Sequence, residues 1–76
     1  MNQTFSLIVT NDPGVLLRVC GAFARRGYNI TSLTLKERDT TGSSQIEIAA
    51  VCTEGEAVLL VRQLNKLIDV WQVKKL

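Results

Sequence analysis

The chain switches between two hydrophobic periods. From Thr4 to Thr10, Phe5, Leu7 and Val9 alternate with Ser6, Ile8 and Thr10. A period of two is that of a strand with one better-buried face. Asn11-Asp12-Pro13-Gly14 breaks the alternation. Asp12 suits a helix N-cap, and Pro13 suits the first helical position, where its missing N–H would have no partner anyway. Leu16, Val19, Cys20 and Phe23 then recur at helical spacing, with Arg18 and Arg25 on the opposite side. Gly27 can take the left-handed conformation that ends a helix.

The second half repeats this plan. Asn29–Arg38 alternates, with Leu33 and Leu35 on one face and Ser32 and Thr34 on the other. Asp39-Thr40-Thr41-Gly42 is turn chemistry. Ser44–Thr53 is the next strand, with Ile46, Ile48, Ala50 and Cys52 facing one way and Gln45 and Glu47 the other. So short a connection makes a hairpin. Thr53 and Glu56 have the spacing of a capping box. Ala57, Leu60, Val61, Leu64, Leu67 and Ile68 form a second helical stripe, with Val58 and Leu59 off it. Asp69–Lys75 closes the chain as a strand, Trp71 and Val73 on one face. The order is βαββαβ, and right-handed crossovers put both helices on one face of a four-stranded antiparallel sheet. This is an α+β fold of the ferredoxin-like, split βαβ kind, with residues 1–76 as a single domain.

Composition narrows the function. The 76 residues are 46% hydrophobic and 21% charged, so the chain is globular but near the lower size limit for folding alone. Apolar residues left over on the helix and on the open sheet face, such as Ile8, Ala49 and Val51, point to a homodimer. No apolar run approaches a membrane span, and MNQTFSLIV has neither a basic nor a long apolar segment, so no signal peptide is expected. A net charge of +2, with both signs interspersed, does not call for nucleic acid or anionic lipid. The absence of histidine excludes a Ser-His-Asp triad, a Cys-His pair and every His-ligated metal. Cys20 and Cys52 lie far apart in apolar stretches, which suits buried thiols in a reducing cytoplasm. The nearest paired carboxylates, Glu37 with Asp39 and Glu54 with Glu56, flank a turn and a helix start, where acids are ordinary. Nothing encloses them, so no catalytic residue and no metal site is expected.

The informative stretch is Asn11–Leu16, NDPGVL. It joins a strand to a helix N-terminus, where unpaired N–H groups and the helix dipole favour an anion. Gly14 leaves room for close approach, and the amides of Gly14, Val15 and Leu16 would supply donors to one carboxylate. The Asn11 side chain both donates and accepts, so it suits the ammonium end of an amino acid. By spacing alone, D-P-G also reads as nothing more than a well-made helix start. Gly27-Tyr28-Asn29-Ile30 lies a helix length away, on the order of 20 Å, and can meet NDPG only across a subunit interface.

NDPGVLLRVCGAFARRGYNITSL, from Asn11 to Leu33, resembles the ACT domain of acetolactate (acetohydroxyacid) synthase small subunits, as does the late QLNKLIDVWQV. The resemblance covers essentially the whole chain. It implies a cytoplasmic, non-catalytic regulatory subunit. Its partner would be a large catalytic subunit that uses thiamine diphosphate, magnesium and FAD to condense 2-oxoacids; no cofactor is implied on this chain. It implies feedback inhibition by a branched-chain amino acid, usually valine, bound at a dimer interface. Carried over by position, the ligand-binding residues are Asn11, Asp12, Pro13, Gly14, Val15 and Leu16 of one copy with Asn29 and Ile30 of the other. Many members continue into a second domain, whereas this chain ends at Leu76. The resemblance therefore speaks more directly for amino-acid binding than for activation.

Three other classes share the topology. An RNA-binding module needs exposed aromatics on the central strands, and Ser44–Thr53 has none. A copper chaperone needs C-x-x-C where NDPG stands. An ACT module of another regulated enzyme or of a transcriptional regulator differs only in its ligand.

Overall fold

The computed structural model describes residues 1–38 and 42–76. The elements are β1 (Asn2–Thr10), α1 (Val15–Arg25), β2 (Asn29–Arg38), β3 (Ser43–Val51), α2 (Glu54–Asn65) and β4 (Val70–Lys75). The sheet is antiparallel in the order β2-β3-β1-β4. This is the expected βαββαβ arrangement. The turn expected at Asp39–Gly42 lies mostly outside the described residues; Gly42 itself has φ +67°.

The alternation read from β1 and β3 sets the core. Phe5, Leu7 and Val9 of β1 and Ile46, Ile48 and Ala50 of β3 face the helices and are buried with Val19, Phe23, Leu60 and Leu64. Phe5 and Phe23 meet edge to face, 5.6 Å between centroids, across the sheet–helix boundary. Such a pair adds about 1 kcal/mol to its area burial. The cysteines sit in or beside this core as free thiols, and burial pushes both upward.

The helix ends follow the local chemistry. The Asp12 side chain accepts the Gly14 amide at 2.8 Å, two residues on, but the N-cap is Gly14, without a side-chain cap, so Asp12 and Pro13 lie in the turn before the helix and not at the expected cap and first position. At the other end the Gly27 amide bonds Ala24 O and the Tyr28 amide bonds Phe23 O, with Gly27 at φ +72°. This is a Schellman stop, and Tyr28 packs back onto the core. Thr53 and Glu56 form the expected reciprocal capping box at α2.

Three further expectations need correction. The inner face of α1 is Val15, Val19, Ala22 and Phe23, and Leu16 and Cys20 lie at its margin. The stripe is turned because Val15, the first helical residue, packs on the core. Ile68 does not belong to the α2 stripe. Helix α2 ends at Asn65, and Ile68 falls in the following turn, 94% exposed. Trp71 does not share the core-facing register with Val73. A bulge pairs Val9 with Val70, while the Trp71 indole donates to Thr10 Oγ1 at 2.9 Å. One extra residue in a strand breaks the alternation that the sequence reading assumed.

The helices cover the sheet unevenly. Helix α2 packs against β4 and α1 reaches β2, and of the two edge strands β2 is the longer. Leu33 on its helix side is half-buried, and Leu35 is 47% exposed. Val58 and Leu59 stand exposed on α2, off the inner stripe as expected.

Candidate functional site

A hollow of about 360 Å³ opens where β1 passes into α1, under the far end of β2. The loop contributes Asn11, Asp12 and Pro13, and the first turn of α1 contributes Val15 and Leu16. Val9, Thr10, Leu35 and Ser44 complete the lining. Its walls are thus mainly aliphatic on the α1 and β2 sides and polar at Asn11 and Ser44.

Asn11 is held from three directions. Its Nδ2 donates to Glu37 Oε1 of β2 at 2.8 Å, and its Oδ1 accepts from Ser44 Oγ of β3 at 3.1 Å. Its backbone N–H donates to Gly42 O at 2.9 Å. These bonds set the amide's orientation, because only Nδ2 can donate to a carboxylate. They leave one Nδ2 hydrogen and one Oδ1 lone pair for a ligand.

The expected anion cradle is partly engaged from within. The Gly14 amide bonds Asp12 Oδ1, and the Val15 amide bonds Asp12 O at 3.1 Å. The Leu16 N–H has no backbone acceptor among the described residues. Gly14 has φ −83°, so its backbone does not demand glycine. What a Cβ there would meet is Arg18 Nη1, at 2.8 Å. Arg18 folds back over the loop, 3.8 Å from Asp12 and in direct contact with Asp69 of the α2–β4 turn.

Of the eight residues expected at the site, Asn11, Asp12, Pro13, Val15 and Leu16 line the hollow. Gly14 shares their loop. Asn29 and Ile30 do not reach it within one chain. They pair with Val51 and Ala50, at the opposite end of β2 from Glu37, whose partner is Ser44. The separation along the strand is about 25 Å. Sequence reasoning missed Ser44, Leu35 and Glu37. Ser44 carried a signal: it falls on the inward phase of Ile46 and Ile48, and it is buried at 1%. A small hydroxyl at an inward position needs a partner, and here the partner is Asn11.

Among the described residues no cluster of acidic, cysteine or histidine side chains could hold a metal ion. No helix is long and apolar enough to cross a membrane.

Comparison with known proteins agrees with this arrangement. Residues 5–72 match the family model of the AHAS small subunit-like ACT domain. The acetolactate synthase isozyme 3 small subunit of Escherichia coli K12 is 40% identical over 76 residues, all of this chain and 47% of that protein. The chloroplastic acetolactate synthase small subunit 1 of Nicotiana plumbaginifolia is 42% identical over 73 residues, 96% of this chain and 16% of that protein. The crystal structure of the acetolactate synthase small subunit from Thermotoga maritima superposes with a TM-score of 0.88 at 35% identity, covering 99% of this chain and 47% of that one. The chain thus spans less than half the length of these relatives. Match, identity and superposition run over nearly the whole chain, loop and hollow included, and the chain belongs to the acetolactate synthase small-subunit family as its ACT domain.

Proposed function

We propose that this chain is the amino-acid-sensing part of an acetolactate synthase regulatory subunit. A homodimer binds a branched-chain amino acid, valine foremost, at its interface, in the cytoplasm. The bound dimer favours the less active state of the catalytic large subunit, which is feedback inhibition. A ligand shifts such an equilibrium only by its differential affinity for the two states, and allosteric coupling is commonly about 1–3 kcal/mol. The non-catalytic character follows from the family, and thiamine diphosphate, magnesium and FAD belong in this reading to the large subunit.

The observation that carries the reading is the hollow itself. It joins an oriented amide at Asn11, an N–H without a backbone acceptor at Leu16, and aliphatic walls from Leu16 and Leu35. A small zwitterion with an aliphatic side chain matches those three features. The ligand carboxylate meets the start of α1, directly at Leu16 and at Gly14 once Asp12 swings away.

Dimerisation finds support in β2. It is a ten-residue edge strand with Leu35 half-exposed beside the hollow. Antiparallel pairing of two such edges brings the Asn29–Ile30 end of one copy beside the Glu37 end of the other. Glu37 is bonded to Asn11, so a second copy delivers Asn29 and Ile30 to the hollow.

The test is a thermal shift against the twenty amino acids, with calorimetry on those that respond. Valine at roughly a hundredfold excess over its Kd should raise the Tm by about 16 °C. Gly14→Asp, which adds bulk and a negative charge beside Asp12, should abolish that response and keep the fold. Equal shifts in both proteins would remove the site assignment, and a response only to a non-aliphatic amino acid would replace the ligand.

A further inference from the structure

Beside the hollow, bonded to its lining residue Asn11, stands a charged group that the sequence reading treats as an ordinary acid flanking a turn. Glu37 stands near the end of β2, and its Oε1 accepts from Asn11 Nδ2 at 2.8 Å. Asn11 is neutral, so it holds the carboxylate without balancing its charge. The other two acids around the loop share one cation, Arg18. Asp12 takes the Gly14 amide and lies 3.8 Å from Arg18, while Asp69 is in direct contact with Arg18. Among the described residues no lysine or arginine pairs with Glu37. Its neighbours on the open face, Lys36 and Arg38, are exposed and make no ion pair with it.

The start of α1 and the end of β2 offer a ligand different groups. The start of α1 is the positive end of a helix dipole. The end of β2 is an anion fixed by an amide and lacking a cation. An α-amino acid carries its carboxylate and its ammonium on one carbon, and these two sides match them in sign. We infer that Glu37 is the residue that recognises the α-ammonium group of the ligand, with the second lone pair of Asn11 Oδ1 as a further acceptor. The inference rests on the amino-acid reading proposed above and gives it a specificity-determining residue.

The same charge discriminates. A ligand with the same carbon skeleton and carboxylate but no ammonium brings only its negative end to a hollow bordered at Asn11 by Glu37. It loses the attraction and meets repulsion. A sensor built this way reports the amino acid and ignores the corresponding 2-oxoacid. Closure by a second copy would exclude water and strengthen both effects.

Glu37→Gln tests this directly, because glutamine keeps an oxygen for Asn11 and removes the charge. The measurement is calorimetry on the full chain with L-valine and with 3-methylbutanoate, which is valine without its amino group. The wild type should prefer valine clearly. In E37Q valine should weaken by roughly tenfold while 3-methylbutanoate is unchanged or tighter, so that the preference collapses. Unchanged valine affinity in E37Q, with the preference intact, overturns the role of Glu37 and leaves the site standing. Equal affinity of the wild type for both ligands overturns the role without reference to any variant. A wild type that takes up neither ligand overturns the site and the role together.

Discussion

Asp12 Oδ1 accepts the Gly14 amide and Asp12 O accepts the Val15 amide, so one residue holds two of the three donors expected to meet a ligand carboxylate. Its side chain at once braces the turn before the helix and competes with a ligand. Arg18 offers the displaced carboxylate a place to go, since it lies 3.8 Å away and already contacts Asp69. Removing the Asp12 carboxylate should therefore have two opposite effects. Asp12→Ala should lower stability by about 1 kcal/mol, as the loss of one side-chain hydrogen bond does. It should also tighten valine binding severalfold, because the Gly14 amide is freed and a competing anion is gone. Denaturant unfolding and calorimetry on the same protein measure the two terms. Weaker binding at unchanged stability would reverse the assignment. Asn11 works differently, since Glu37 and Ser44 position it in advance and its reorientation costs a ligand nothing.

Helix α1 is closed at both ends by its own sequence, at Asp12 and at the Gly27 stop. The ends of α1 and of β2 are thereby placed, and with them the hollow and the far position of Asn29. Helix α2 has no part in the hollow; it packs against β4 and α1 and gives Ala57, Leu60 and Leu64 to the core. Thr53 caps it through the Glu56 amide at 3.1 Å, and Glu56 returns the bond to the Thr53 amide at 2.8 Å. Thr53→Ala should cost about 1 kcal/mol, or roughly 6 °C in Tm for a domain of this size, with valine affinity unchanged. A melting curve with and without valine checks both halves. A loss of affinity in this variant would tie α2 to the site, against the geometry. The bulge at Trp71 belongs to this scale too. It lets Val70 face the core opposite Val9 and sends the indole to Thr10.

At the scale of the molecule, the sheet has two open edges, and β2 is the longer of them. The ten-residue β2 has no neighbour on its outer side, and the helices leave Leu35 half-exposed next to the hollow. Long edge strands invite pairing. Leu35→Glu should leave the fold intact, because the side chain stands outside the buried cluster. It should shift the protein from dimer to monomer in sedimentation and remove valine binding with the dimer. A dimer that survives this change at the same strength would move the interface away from β2. Coupling between ligand and assembly would also make valine affinity depend on protein concentration.

Element order, sheet phase and the capping residues were legible because each depends on near neighbours. Alternation in Phe5–Val9 and Ile46–Cys52, the Thr53–Glu56 spacing and the Gly27 stop are local patterns, and each fell where it was expected. NDPG was legible as a helix start for the same reason. The errors lay where a pattern crossed an element end. Ile68 was counted into a helix that stops at Asn65, and Trp71 into an alternation that the bulge interrupts. The walls of the hollow could not be read in advance. Ser44 and Glu37 are 33 and 26 residues from Asn11, and only the order β2-β3-β1-β4 carries them to it. Strand pairing is a long-range choice made by the packing of the whole sheet, and no local period records it.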